Sequence, residues 1–189
     1  MKRFFCLVAL VSGLTALVGM TLQREQPAAS GLAPFLGPTE TAVFSGGCFW
    51  GLQAAFDKLP GVVRTRAGYT GGTTSHPSYG QVVAGGTGHA EAVEVVFDPG
   101  RLAFSDLVRY FFQHHRATSN EPEITYRTRA YRSAVFVSSV TQHEVARQIL
   151  ADFIESKPSG KPVATLIEDA TVFWEAEAYH QKYLAQCAH

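Results

Sequence analysis

Short apolar segments alternate between strand-like and helix-like spacing along residues 40–189, and glycine or proline separates most of them. Residues 41–45 form a short apolar run of the kind found in buried strands. Phe49, Leu52 and Phe56 then recur at the spacing of one helix face. Because the two periodicities alternate along one stretch, we expect a two-layer α/β or α+β domain rather than a helix bundle or a β-sandwich.

The same periodicities predict the remaining elements. Apolar alternation predicts strands over residues 62–69, 90–98, 131–138 and 163–167. Helical spacing predicts a helix capped by Ser105 and a second helix that begins with a capping box of Thr141 and Glu144. A final helix is predicted over residues 175–186. Residues 71–88 are rich in glycine, serine, threonine and proline, and a connection this long favours a functional loop.

The N-terminal segment, residues 1–22, has the pattern of a secretory signal peptide, because a basic pair precedes a long apolar stretch. Residues 4–22 are also just long enough to cross a bilayer, so an uncleaved membrane anchor is the alternative. Residues 23–39 contain prolines and no apolar period, which indicates a linker. We therefore expect an exported protein, periplasmic or secreted, whose folded domain spans residues 40–189 and which meets a membrane only through an uncleaved N-terminal segment.

The charge and cysteine content exclude several classes of protein. Sixteen basic and sixteen acidic side chains balance, so no nucleic-acid partner is expected. Outside the N-terminal apolar segment only Cys48 and Cys187 remain, which is too few for a disulfide scaffold, and we expect a chemical role with a plain disulfide as the alternative. None of the seven histidines stands at metal-ligand spacing from a cysteine, so no metal is expected. A monomer is the default for a domain of this size.

Cys48 lies in the stretch SGGCFWG, where the first strand gives way to the first helix. Unpaired backbone N–H groups and the helix dipole favour a negative charge there, so we expect a thiolate with a lowered pKa. Gly46 and Gly47 permit a tight turn that leaves the sulfur open. The position suits a nucleophile, and a buried cysteine acting as a small hydrophobe is the alternative. At least one of Phe49 and Trp50 is expected to wall a small apolar pocket, because adjacent helical residues diverge.

The stretch SGGCFWG resembles the active-site motif of the A-type peptide methionine sulfoxide reductases. The resemblance extends from about residue 43 to residue 184 through TRAGYTGG, PSYGQV, TGHAEAVEVVFDP, YRSAVF and EAEAYHQKYL. It implies an α+β fold, a two-layer α/β sandwich with a mixed sheet and with the active-site cysteine at a strand-to-helix turn. It also implies thiol-dependent repair of oxidised proteins, in which methionine-S-sulfoxide, protein-bound, free or N-blocked, is reduced to methionine.

The resemblance implies a role for each of five side chains. Cys48 would attack the sulfoxide sulfur and become a sulfenic acid, while Glu91, its pKa raised by an apolar setting, would donate a proton. Tyr79 and Tyr131 would hold the sulfoxide oxygen. Cys187 would resolve the sulfenic acid as a disulfide, which requires the short tail to fold back over the site, and an exposed terminal thiol is the alternative. A thioredoxin-like protein, or dithiothreitol in vitro, would then reduce the disulfide without any bound cofactor.

The chain departs from the family pattern between residues 112 and 131. Arg116 and Tyr126 stand where the family typically has aspartates, and Thr128 and Ala130 replace a glycine and a glutamine. The second of these aspartates belongs to the family's substrate site, so the departure bears on affinity and substrate range. The more basic segment is interpreted either as favouring an acidic peptide context or as a solvated loop.

Two other functions stay open at the level of sequence. One is a non-catalytic or attenuated module that binds methionine or its sulfoxide on the same scaffold, although a binder has no use for both a nucleophile and an acid. The other is a cysteine hydrolase, since GGCFWG also resembles the cysteine–tryptophan stretch of papain-like proteases and His180 lies downstream. Hydrolysis would require a histidine that activates the sulfur.

Overall fold

A computed structural model describes residues 37–117, 129–156 and 162–187. Within these ranges no helix has both the length and the apolar character needed to cross a membrane. The predicted signal peptide or anchor over residues 1–22, and most of the predicted linker, lie outside the described residues. Export and the domain boundaries therefore stay predictions.

Strands and helices alternate along the described ranges. The strands are β1 (Glu40–Ser45), β2 (Val62–Thr70), β3 (Ala90–Phe97), β4 (Ala134–Val137), β5 (Leu166–Asp169) and β6 (Trp174–Glu175). The helices are α1 (Phe49–Phe56), α2 (Tyr79–Ala84), α3 (Phe104–His114), α4 (Val140–Ser156) and α5 (Tyr183–Gln186), with a 3-10 turn at Ala178–His180. This order contains the alternation that the sequence periodicities predict.

One mixed sheet contains all six of these strands, in the order β5-β4-β1-β3-β2-β6. β1 pairs antiparallel with β3 and β4, β2 pairs antiparallel with β3 and β6, and β4 pairs parallel with β5. In the β2–β3 pair Tyr69 stands directly opposite Glu91. The predicted α+β fold with a mixed sheet is confirmed.

Helices α1 and α3 pack on β1 through three phenylalanine rings. The ring of Phe44 lies 5.0 Å from that of Phe56 and 5.1 Å from that of Phe111, and all three side chains are fully buried. Burying one such side chain stabilises a fold by roughly 1.5–3 kcal/mol. The two elements that flank Cys48, β1 and α1, are therefore held together by a buried aromatic cluster.

Each of the two predicted helix caps is wrong by two residues. Ala103 is the N-cap of α3, and Ser105 lies inside its first turn. Thr141 and Glu144 lie within α4, where the hydroxyl of Ser139 instead accepts a backbone N–H of the first turn at 3.1 Å. Within the described ranges no side chain caps α3, and at α4 two hydroxyl residues stand near the helix start, so spacing alone does not locate the N-cap.

The predicted helix over residues 175–186 is also wrong. Trp174–Glu175 pairs with β2 as a short strand, and a 3-10 turn separates it from the four-residue helix α5. Lys182 has a φ of 53°, in the left-handed region, which a continuous right-handed helix does not contain. The strand predicted over residues 131–138 shortens to β4, and the one over residues 163–167 is displaced to β5.

Candidate active site

Cys48 is the N-cap residue of α1, directly after the turn that leaves β1. Gly47 has a φ of +85°, and a Cβ on Gly46 would lie 2.9 Å from the rings of His115 and Phe111. Both glycines of the tight turn are therefore required, one by backbone conformation and the other by packing. Cys48 itself is exposed, and its sulfur is a free thiol.

The pKa of the Cys48 thiol is raised above its ordinary value, so the predicted lowering is wrong. Desolvation by the surrounding groups is the largest cause, and the negative charge of Glu91 adds to it. Hydrogen bonds from the backbone N–H groups of Trp50 and Gly51 act in the opposite direction, as expected for a helix start, but they do not outweigh burial. Protonation of Glu91 removes its charge, so the thiolate is better tolerated when that carboxyl is neutral.

Glu91, near the start of β3, is 1% exposed, and its Oε2 accepts the backbone N–H of Phe49 at 3.0 Å. Burial raises the pKa of this carboxyl to about 7, although hydrogen bonds from Phe49 and Tyr131 lower it. A carboxyl that titrates near neutrality can hold and deliver a proton. Glu94, three residues on, forms an ion pair with Arg66 at 2.7 Å and is a structural carboxylate.

Two phenols lie beside this carboxyl. Tyr131 interacts with Glu91 and Tyr79, and desolvation followed by the charge of Glu91 raises the pKa of Tyr131. The phenol therefore stays protonated and able to donate. Tyr79 is the first residue of α2, whose N-cap Ser78 forms a capping box with Gln81. The predicted loop over residues 71–88 thus contains a short helix that fixes Tyr79.

The adjacent aromatic residues of α1 separate into different environments. Phe49 is 1% exposed and belongs to the core. Trp50 is half-buried, and its ring stacks on that of Tyr183 with centroids 3.8 Å apart. The assignment of this pair to a pocket for the substrate methyl group stays a prediction, and Trp50 is the member that retains accessible surface.

His180 does not contact Cys48 within the described structure. Its Nδ1 accepts the indole N–H of Trp50 at 3.0 Å, and its ring lies against those of Phe49 and Tyr79. Burial lowers the pKa of this imidazole. Its buried Nε2 has no hydrogen-bond partner among the described residues. This placement orients an indole rather than activating a thiol, and the hydrolase interpretation receives no support.

Residues of the C-terminal segment contact Tyr79 and Trp50 of the site, although the sequence assigned these contacting residues no role. Glu177 accepts the backbone N–H of Tyr79 at 2.9 Å and the hydroxyl of Tyr69 at 2.8 Å. Tyr183 covers Trp50. Glu177 and Tyr183 stand in EAEAYHQKYL, a stretch whose local spacing gives no indication of these long-range contacts. The resemblance of that stretch to a family motif was the available signal.

Cys187 is exposed and follows α5 directly. Its N–H donates to the carbonyl of Tyr183 at 3.2 Å, and the ring of Tyr183 stacks on Trp50 near the start of α1. The backbone N–H of Lys182 donates to Gln53 of α1 at 2.8 Å. The C-terminal segment therefore packs along α1 beside Trp50, while the approach of Cys187 to Cys48 and the disulfide stay predictions.

Arg132 connects the segments that carry the site, although the sequence did not single it out. It is 6% exposed. Its guanidinium donates to both oxygens of Glu168 and to the carbonyls of Gly88, Arg129 and Gly71, at 2.8–3.4 Å. Its own carbonyl accepts the hydroxyl of Ser45 at 2.5 Å. Ser45 stands three residues before Cys48, and Gly88 three before Glu91, so one residue joins both catalytic segments.

Replacement of Arg132 by methionine is expected to destabilise the fold by roughly 2–4 kcal/mol, because the Glu168 carboxylate and several carbonyls lose their donor. Urea unfolding measures this change. Arg101→Met, at an exposed position, is the matched control and is expected to stay within about 0.5 kcal/mol of wild type. Equal unfolding midpoints for wild type and Arg132→Met would contradict the role of Arg132 as a connector.

The departures from the family pattern are only partly described. Arg116 is exposed and Ala130 is 1% exposed. Tyr126 and Thr128 lie outside the described residues. Across the described ranges, no group of three or more histidine, cysteine, aspartate or glutamate side chains is placed to hold a metal ion.

Comparison with known proteins identifies similar chains over most of the length. The model of the family "Peptide methionine sulfoxide reductase" matches residues 40–189. A relative from Thermus thermophilus, named peptide methionine sulfoxide reductase MsrA, is 44% identical over 149 residues, which covers 79% of this chain and 84% of that protein. One from Ligilactobacillus salivarius with the same name is 41% identical over 144 residues, covering 76% and 84%.

Solved structures show the same fold. Methionine sulfoxide reductase A of Corynebacterium diphtheriae has a TM-score of 0.70 at 32% identity, covering 78% of this chain and 74% of that one. Mxr1 from Saccharomyces cerevisiae in complex with Trx2 has a TM-score of 0.55 at 21% identity, covering 82% and 91%, and supports the fold alone.

Proposed function

Because this chain belongs to the peptide methionine sulfoxide reductase family, and is therefore an oxidoreductase that reduces methionine sulfoxide, we propose that it acts on the S epimer with Cys48 as its nucleophile. Protein-bound, free and N-blocked methionine sulfoxide are its substrates. The observation that supports the residue assignment is the convergence of an exposed thiol, a buried carboxyl with a pKa of about 7, and two phenols that interact with each other. The alternative, a non-catalytic binding module, receives no support from these relatives.

In the first step the sulfur of Cys48 attacks the sulfoxide sulfur while Tyr79 and Tyr131 donate hydrogen bonds to its oxygen. Glu91 supplies the proton that the oxygen needs to leave. The sulfur–oxygen bond of the sulfoxide and the transient bond between the two sulfur atoms then break, so that the oxygen and its proton remain on Cys48 as a sulfenic acid and methionine departs. The proton that the Cys48 thiol lost restores the protonated form of Glu91. The thiol is thereby oxidised by two electrons and the sulfoxide is reduced by two.

In the second step Cys187 attacks the Cys48 sulfenic acid, which releases water and forms a disulfide. The fold of the tail along α1 supports this assignment, since only one helical turn separates Cys187 from the ring that stacks on Trp50. A dithiol of a thioredoxin-like protein then reduces the disulfide by exchange. The thioredoxin-like reductant is proposed by analogy with Mxr1, a protein of this fold that forms a complex with Trx2. The electrons come from thiols throughout, so the cycle needs no bound cofactor.

Cys187→Ser separates the two steps. Without external reductant, this variant is expected to form about one methionine per enzyme molecule and to retain a Cys48 sulfenic acid that reacts with dimedone. Turnover with thioredoxin should be nearly abolished, while dithiothreitol still supports it by direct reduction. Wild type, as the control, should form methionine and a disulfide without a dimedone adduct. Undiminished thioredoxin-dependent turnover by Cys187→Ser would contradict the resolving role, and failure to form any methionine would contradict the reaction itself.

Export is proposed from the pattern of residues 1–22 alone. The full chain, expressed in a secreting host, should appear outside the cytoplasm, either shortened at its N-terminus or intact in the membrane fraction. Intact chain in the cytosol would contradict export, and mass spectrometry with cell fractionation distinguishes these results.

A further inference from the structure

A cavity of about 160 Å³ is lined by segments of the fold that also carry residues of the candidate active site. We refer to it as the Arg129 cavity. Three segments of the fold carry both a lining residue of the cavity and a residue of the catalytic group. The lining residues are Val82 of α2, Gly88 before β3 and Arg129 before β4. The catalytic residues on the same three segments are Tyr79, Glu91 and Tyr131. The same three segments therefore position both the cavity and the catalytic group.

The spacing of residues on these segments indicates which part of a bound peptide would reach the cavity. Val82 and Tyr79 are one turn apart on α2, roughly 5 Å along its axis. An extended peptide advances about 3.3–3.6 Å per residue. When a methionine sulfoxide side chain sits between Tyr79 and Tyr131, the side chain of a residue adjacent to it in the substrate is within reach of the cavity.

Among the described residues, the charged side chain that lines the cavity is that of Arg129. Arg129 is exposed, and the described part of the chain offers its guanidinium no carboxylate. Its neighbour Arg132 differs, because that guanidinium is buried against both oxygens of Glu168. No acidic side chain lines the cavity among the described residues. A guanidinium presents a rigid fork of donors that matches a carboxylate.

The walls of the cavity leave room for a small polar group. Gly86 has a φ of +89°, and a Cβ placed there would meet no atom within 4 Å. The hydroxyl of Thr87 is already engaged by the backbone N–H of His89 at 3.2 Å, so Arg129 is the charged donor at this position. A volume of about 160 Å³ accommodates a carboxylate side chain.

We propose that the Arg129 cavity binds a glutamate or aspartate side chain that neighbours the methionine sulfoxide in the oxidised substrate. Arg129 is thus a specificity-determining residue that directs the enzyme to acidic sequence contexts. This inference rests on the proposed function and names the substrate class of that same site.

Matched peptides test the proposal. Each carries one methionine-S-sulfoxide with glutamate, glutamine or lysine immediately before or after it, and kcat/KM is measured for wild type, Arg129→Gln and the control Arg101→Gln. At low ionic strength wild type is expected to prefer a glutamate peptide over its glutamine counterpart by about three- to fivefold, the range of a partly exposed ion pair. The preference should fall with added salt, vanish in Arg129→Gln and persist in Arg101→Gln.

Two outcomes overturn the inference and leave the proposed function intact. One is an equal wild-type rate on all the peptides while N-acetylmethionine sulfoxide is still reduced. The other is a glutamate preference that survives in Arg129→Gln. Failure of wild type to reduce N-acetylmethionine sulfoxide at all would instead contradict the proposed function, and the inference with it.

Discussion

Replacing Cys48 by serine is expected to lower kcat/KM for methionine sulfoxide by roughly 10³–10⁶-fold, the range seen when an enzyme loses its nucleophile. The serine hydroxyl is a much weaker nucleophile than a thiol and does not form a product equivalent to the sulfenic acid. The measurement is chromatographic detection of N-acetylmethionine formed with dithiothreitol as reductant. The matched control is Cys187→Ser, which removes the other described thiol and should retain dithiothreitol-dependent turnover.

Because Cys48 is exposed, its replacement by serine should lower activity without unfolding the protein. Its side chain lies at the surface end of α1 and contributes no buried contact of the core. Cys48→Ser should therefore unfold at nearly the same urea concentration as wild type. Activity within about tenfold of wild type, from folded Cys48→Ser protein, would exclude Cys48 as the nucleophile.

The second large effect is expected at Glu91. Glu91→Gln keeps the shape and one acceptor oxygen of the side chain but removes the transferable proton. We expect sulfoxide reduction to slow by about 10²–10⁴-fold, the usual contribution of a positioned acid. Rapid-quench measurement of methionine formation in a single turnover reports this step without interference from recycling. Glu94→Gln is the matched control, because that carboxylate pairs with Arg66 and should leave the single-turnover rate nearly unchanged.

The pH dependence follows from the direction of the Glu91 shift. Because burial raises the pKa of Glu91 to about 7, the carboxyl is protonated below that pH and loses its proton above it. The ratio of the wild-type single-turnover rate to the Glu91→Gln rate should therefore decrease as the pH rises through about 7, because ionisation of the Cys48 thiol enters both rates. A ratio that does not change between pH 6 and pH 8 would contradict the assignment of Glu91 as the acid.

The raised pKa of Glu91 also predicts that the free energy of unfolding decreases as the pH rises. The folded-state pKa of Glu91, about 7, exceeds the ordinary value of 4.5, so folding favours the protonated carboxyl. That contribution is complete below about pH 4.5 and is lost as the pH rises toward 7. Between about pH 5 and about pH 8 the free energy of unfolding of wild type should thus decrease more than that of Glu91→Gln, as measured by urea titration.

Local periodicity predicted the parts of the fold that depend on local pattern. The apolar runs at the first three strands and the face of α1 lie where the spacing placed them, because each is fixed by which of its side chains are buried. The site residues Cys48, Glu91, Tyr79 and Tyr131 came from motifs, and the structure brings their segments together. Spacing alone did not predict that these segments meet.

The remaining features depend on contacts between distant residues. The C-terminal segment has helical spacing, yet Glu177 and Lys182 are engaged by β2, α1 and α2, and these contacts interrupt the helix. The shift of the Cys48 pKa was predicted in the wrong direction. The sequence shows the helix start, but it shows neither the desolvation of the thiol nor the nearby charge of Glu91. The connecting role of Arg132 likewise requires knowledge of five partners that no motif places together.

The most direct test of the central claim is turnover of the separated S and R epimers of N-acetylmethionine sulfoxide by the purified protein with dithiothreitol. The proposed function predicts that the S epimer is consumed to completion while the R epimer is left unchanged. Consumption of the R epimer at a comparable rate, or of neither epimer by folded protein with a titratable Cys48, would contradict it.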